Sequence, residues 1–296
     1  MNIEFQKLYG VSGLFLIVLS LLNLFSEVGQ IKHTYVFMCL GMFLFFDSLN
    51  YFLAYQESLL EKRMSPIQGL MFFLFFGAVL GFMSEIYGGV ITGVWNGIIM
   101  VPESFLSVEA VNYIVEIIFT YGILVLPAYS IFRILKKVFE AETMLKREFG
   151  SDYYRYFVHL GLVLLASPFL LLVLDMGVNA SYVLFLTSLV GLLLVIEYFE
   201  FRKKGQGIIA NISYRELDKI GAVLTLSVLT GFIASVMTQI VGLWAPGNAP
   251  FNALRLFDTP ISMVVVWTVL IWVITSGFNL VSDIELSNLS PENTLE

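Results

Sequence analysis

Residues 77–96 read GAVLGFMSEIYGGVITGVWN. The stretch opens as a membrane-crossing helix and closes as something too broken to be one. Gly77, Gly81 and Glu85 recur every four residues and share one helical face, which Gly88 and Gly89 extend. Small residues at that spacing let two membrane helices approach closely. The glutamate is therefore expected to point at neighbouring helices and not at lipid. An ionisable side chain in such a place is costly, and by default it marks a functional site.

The surrounding chain supports the membrane reading. Its 296 residues are 58% hydrophobic and 13% charged, with a mean hydropathy of +0.86. A soluble domain of this length has too little interior to hide such a composition. Apolar runs approaching the ~20 residues needed to cross a bilayer recur along the chain. They predict an all-α integral membrane protein with about eight transmembrane helices, at 10–27, 34–55, 67–88, 110–133, 155–175, 180–201, 217–242 and 260–281. The first run ends in SEVGQ, not in a small-x-small cleavage site, and so reads as a retained span. All of the 16 Lys and Arg except Lys32 and Arg255 then fall on one side, which puts both termini in the cytoplasm of a multi-pass cell-membrane protein.

Composition also excludes several functions. The net charge of −7 comes without a basic stripe interleaved with aromatics, so no nucleic-acid partner is implied. Cys39 is the single cysteine, which rules out an intrachain disulfide and leaves the redox compartment open. With His33 and His159 the only histidines, no cluster exists for a di-iron or haem centre. HExxH, GxSxG and GxxxxGK[ST] are all absent. No metal and no cofactor is implied.

The chain also matches itself at an offset near 150 residues. Asp47 aligns with Glu197, Asn50 with Glu200 and Gly81-Phe82 with Gly231-Phe232 at 150, and Gly93-Val94-Trp95 with Gly242-Leu243-Trp244 at 149. Two tandem four-helix repeats in parallel orientation are expected, over 1–135 and 155–281. Between them 136–154 reads as a cytoplasmic amphipathic connector, part of a helix over 134–154 with Ile134, Val138, Phe139 and Met144 on one side. A polar acidic tail, 282–296, follows the second repeat. The copies differ in their acids: Glu85 aligns with Ser235, and Glu116 with an apolar residue near Val264. Ser227, Gly231, Ser235 and Thr238 read as a small-polar packing stripe.

Four sets of polar residues fall within the spans. Asp47, Asn50 and Tyr51 share a face of span two. Glu85 is followed by Tyr87 on span three, and Asn112, Glu116 and Thr120 line span four beside Tyr113. Glu197 and Glu200 repeat the span-two spacing near the inner boundary, where snorkelling or pairing with Arg202 and Lys203 is the ordinary expectation. Glu116 lies about six residues, roughly 9 Å, inside the outer end of its span, a depth comparable to that of Glu85. The segment between spans three and four, with Gly93, Gly97 and Pro102, reads as an outer lid or re-entrant loop carrying Trp95, Asn96 and Glu103. A carboxyl in an apolar pocket can stay protonated and act as a general acid. Two at one depth can divide acid and base roles, and aromatic faces can stabilise a carbocation. Glu85 and Glu116 are the candidate catalytic pair, with Asp47 in support. Tyr51, Tyr87, Trp95, Asn96, Asn112 and Tyr113 are the candidate substrate-binding residues.

Glu85-Ile-Tyr-Gly88, Thr92-Gly93-Val94-Trp95 and Glu116-Ile117-Ile118-Phe119 resemble motifs of polytopic carotenoid-modifying proteins, the small-subunit-type lycopene cyclases and the carotenoid hydratases. The likeness covers about 35 of the 296 residues. A Pro-x-Glu-Glu run, expected before Phe119, is replaced by Tyr113-Ile114-Val115-Glu116. The resemblance implies cofactor-independent protonation or hydration of a polyene end group. Three readings stay open: an enzyme acting on an isoprenoid or carotenoid-like lipid, a proton- or cation-coupled small-molecule transporter, and a non-catalytic membrane scaffold. The expected partner is a membrane lipid or lipid-soluble small molecule, with the oligomeric state open.

Overall fold

A computed structural model describes residues 3–25, 31–54, 75–97, 108–141, 145–146, 154–174, 177–209, 215–240, 244–246, 250, 254–256 and 259–282. Their helices are α1 (Ile3–Phe25), α2 (Ile31–Ala54), α3 (Phe75–Ile91), α4 (Val108–Val138), α5 (Tyr154–Leu165), α6 (Val178–Lys204), α7 (Leu217–Ile240) and α8 (Ile261–Ser282). A short 3-10 turn, Ser167–Leu172, prolongs α5 after Pro168 interrupts its hydrogen bonding. Seven of these segments are long and apolar enough to cross a membrane, and α3 is shorter. Residues 67–74 of the expected third span lie outside the described residues.

Apolar side chains cover the outside as well as the inside. Leu8, Val11, Phe15 and Leu22 on α1 are exposed, as are Leu162 and Val163 on α5. Only 17% of the α1 span is buried, against 72% of α8, so α1 is peripheral and α8 central. In water such a surface would drive association; against acyl chains it costs nothing.

Helices pair where side chains are missing. α1 lies on α2, α5 on α6, α2 on α4, α6 on α8 and α7 on α8. A Cβ on Gly13 would sit 2.7 Å from the Gly41 carbonyl oxygen, and one on Gly161 2.8 Å from that of Gly191. Gly77 and Gly81 bring α3 against Ile118 and Ile117 of α4 in the same way, and Gly231 brings α7 against Trp267 and Thr268 of α8. Such contacts substitute for the hydrophobic driving force that lipid removes.

Among the described residues three small antiparallel pairs, absent from the all-α expectation, close the helix ends. They are β1 (Trp95–Gly97) with β4 (Trp244–Pro246), β2 (Leu145–Lys146) with β3 (Gln206–Gly207), and β5 (Arg255–Leu256) with β6 (Thr259–Pro260). In the first pair Asn96 lies opposite Ala245, Trp95 opposite Pro246 and Gly97 opposite Trp244. The expected helix over 134–154 is corrected by the second. α4 ends at Val138, Glu140 takes a left-handed conformation (φ 47°), and Leu145–Lys146 is a strand. The amides of Phe139, Glu140 and Ala141 turn back onto Leu135, Lys137 and Lys136, a compact stop that the amphipathic pattern does not encode.

Candidate functional site

The last turns of α3 are unusual. From Phe82 to Ile91 the helix widens to π geometry, and the Thr92 amide reaches back to the Tyr87 carbonyl at 2.9 Å. Gly88 and Gly89 lie within these turns, and Gly93 (φ 62°) ends them. Wide turns are rare in helices and frequent at functional sites.

Glu85 lies on this widened segment. The bare Cα atoms of Gly77 and Gly81 draw α3 onto α4, so the next residue on that face meets α4 at close quarters. Its side chain is buried, and the Tyr121 hydroxyl donates to Oε1 at 2.7 Å. Among the described residues this is its one hydrogen-bond partner. Tyr113, also buried, is within electrostatic reach of Glu85, and its hydroxyl has no partner among the described residues. Ser84 is enclosed beside them, again with an unpartnered hydroxyl. Tyr35 of α2 completes the layer by donating to the Thr120 carbonyl at 2.9 Å.

The other candidates are distributed differently. Glu116 is exposed on α4 among Val111, Asn112, Val115 and Phe119, while the α3-facing stripe is Tyr113, Ile117 and Tyr121. One residue is about 100° of helix, which carries Glu116 away from the side that Ile117 presents to α3. The expectation of two carboxyls turned into one hollow is thereby corrected: Glu85 is enclosed and Glu116 and Asn112 are on the outside. Tyr87 is half-buried, its ring edge-on to Phe169 at 5.5 Å. Trp95 and Asn96 belong to β1, where the backbone is described and the side chains are not. Tyr51 is half-buried on α2, and Glu103 lies outside the described residues.

Asp47 sits at the other end of the bundle, enclosed, with Arg133 of α4 at 3.8 Å. Asn50, one turn on, donates to the Ser130 carbonyl at 3.1 Å.

Glu197 differs most from its expected place. Instead of reaching out to Arg202 or Lys203 it is fully enclosed. The chain reverses at Gly205 (φ 63°) and returns through β3, laying two successive amides over the carboxylate. Oε1 accepts from Ile208 N at 2.9 Å and from the Ser276 hydroxyl at 2.5 Å, and Oε2 accepts from Ile209 N at 3.1 Å. A Cβ at 207 would run into the Glu197 carboxylate. Glu200 is enclosed as well, while Arg202 points outward to the Tyr198 hydroxyl at 3.5 Å.

Sequence reasoning passed over Tyr121, Ser84, Arg133 and Ser276. Tyr121 was within reach: it lies eight residues after Tyr113 and four after Ile117, on one stripe. Ser276 carries no such signal, because its role depends on α8 crossing α6.

Compared with protein-family models, curated proteins and solved structures, the chain gives no match.

Proposed function

We propose that this chain is a multi-pass cell-membrane protein with both termini cytoplasmic, built from two tandem four-helix repeats, that performs acid–base chemistry on an isoprenoid-like lipid. The observation that carries the chemistry is the Glu85 carboxyl, enclosed on a π-helical segment and held by one tyrosine hydroxyl. Because Tyr121 engages Oε1, Oε2 is the oxygen left to exchange a proton. A protonated Glu85 gives that proton to one carbon of a C=C bond; the π pair becomes the new C–H bond and the neighbouring carbon becomes cationic. The rings of Tyr113 and Tyr121 stabilise such a cation. Return of a proton from an adjacent carbon restores Glu85 and shifts the double bond, whereas capture of the cation by water forms a C–O bond and the surplus proton on that oxygen returns to Glu85, leaving an alcohol. One carboxyl serves as acid and then base. No redox partner enters the balance.

The repeat is supported by close approaches at matching positions. Gly13 with Gly41 corresponds to Gly161 with Gly191, and Gly81 with Ile117 corresponds to Gly231 with Trp267. The β1–β4 register, centred on Asn96 and Ala245, fits a two-fold axis between the halves. Orientation rests on the distribution of Lys and Arg. That two-fold relation also favours a second reading, a proton- or cation-coupled carrier in which the halves rock about the axis.

Lipid extracts from cells with and without the chain, compared by mass spectrometry alongside Glu85→Gln, test the proposal. A lipid species that changes with the chain and not with the variant is expected. An unchanged profile overturns the enzyme, and a Glu85-dependent proton flux in proteoliposomes would then support the carrier.

A further inference from the structure

A second polar centre, unconnected with Glu85, lies where α1, α2 and α4 end together. Gln6 on α1, Asp47 and Asn50 on α2 and Ser130 on α4 are wholly enclosed there, with Tyr9 and Arg133 half-buried at the margin. The helices are in close contact: the Ser48 hydroxyl donates to the Gln6 carbonyl at 2.8 Å, and a Cβ on Gly10 would lie 2.6 Å from Ser48 Oγ. Tyr9 is within electrostatic reach of Asp47.

The side chains converge without satisfying one another. Gln6 Nε2 and Oε1, Tyr9 Oη, Asn50 Oδ1 and Ser130 Oγ are all buried and find no partner among the described residues. Five unmatched polar atoms in one apolar bundle are far from the near-complete pairing of protein interiors. Arg133 Nη1 and Asp47 Oδ1 stand 3.8 Å apart at the margin of this centre.

The inventory specifies what would complete it. Asn50 Oδ1 and Gln6 Oε1 need donors, Gln6 Nε2 needs an acceptor, and the Tyr9 and Ser130 hydroxyls can take either part. Groups that donate and accept at once, without charge, are hydroxyls. Gln6, Asn50 and Ser130 lie about 5–12 Å along their helices from the nearest ends, near head-group depth.

We propose that the shared end of α1, α2 and α4 is a binding site for neutral hydroxyl groups, supplied by ordered water or by the hydroxylated head group of a membrane lipid. The test uses the full chain in phosphatidylcholine nanodiscs, with and without added glycosyl diacylglycerol. Unfolding midpoints are read for the unaltered protein, Tyr9→Phe and Gln6→Leu. Both variants are expected to lower the midpoint by a few degrees. A loss equal in both lipids assigns the site to water. A rise with glycosyl diacylglycerol in the unaltered protein alone assigns it to a head group. Deleting an unmatched polar atom from an apolar interior stabilises a protein, so a midpoint that holds or rises in either variant overturns the proposal.

Discussion

Glu85 and Glu197 are both buried carboxyls on apolar helices, and their surroundings are opposite. Glu197 receives three hydrogen bonds, two from backbone amides that exist in that position only because the chain folds back over it. Among the described residues Glu85 receives one, from a side chain on a neighbouring helix. A carboxylate whose lone pairs are taken by the backbone is part of the frame, since moving its proton or its geometry would undo the turn that holds it. A carboxyl with one partner keeps an oxygen for exchange. Burial alone does not separate a structural acid from a chemical one; the number and kind of donors does.

Making the same isosteric change at both positions sharpens the contrast most. Glu197→Gln turns an acceptor oxygen into an NH2 facing amide and hydroxyl donors. Each buried donor left unmatched costs about 1–3 kcal/mol, so a loss of about 2–5 kcal/mol in unfolding free energy is expected, measured by denaturant titration in detergent. Lipid conversion per folded molecule should be retained. Glu85→Gln should do the reverse. Tyr121 can still donate to the amide oxygen, so stability is expected to hold within about 1 kcal/mol. Conversion, read from the lipid profile, should fall about 10²–10⁴-fold with the loss of a general acid. If the two variants exchanged these effects, the roles assigned to the two glutamates would have to be exchanged as well.

A smaller effect probes the frame around Glu197. Gly207→Ala places a methyl group against the carboxylate, and the forced shift is expected to cost about 1–3 kcal/mol. Gly221→Ala is the control, because a Cβ there meets nothing within 4 Å. Equal costs at the two positions would mean that the turn does not press on Glu197. On the other side of the comparison, Tyr121→Phe removes the one donor to Glu85 among the described residues. A hydrogen bond to a carboxylate is worth about 1.5–3 kcal/mol, and if half of it is specific to the reacting state, conversion drops about 3- to 13-fold.

The helices were legible because long apolar runs have no other use, and the glycine faces at 77 and 81 announced their helix contact before any partner was visible. The stop at Glu140 was not legible. Ile134, Val138, Phe139 and Met144 keep a helical rhythm through a segment that a left-handed residue interrupts. Glu85 was legible from the stripe it shares with two glycines. Depth and charge point to Glu116 as its partner, whereas α4 turns Tyr113, Ile117 and Tyr121 towards α3. The Glu197 enclosure had no local signature at all, since its donors come from a turn and a helix up to 79 residues away.

The exposed position of Glu116 leads to the smallest effect expected. Glu116 lies on the exposed face of α4, so Glu116→Gln leaves the Glu85–Tyr121 contact in place. Surface changes of this kind stay within about 0.5 kcal/mol of stability, so conversion per folded molecule is expected to stay near that of the unaltered protein. The lipid profile that reports on Glu85→Gln reports on this variant too, in the same cells at matched expression. A loss approaching that of Glu85→Gln would mean that substrate meets α4 from the outside, with Glu116 as the first carboxyl it encounters. A near-silent variant leaves Glu85 as the sole acid of the site and makes the contrast with Glu197 one between two single carboxyls, distinguished by who donates to them.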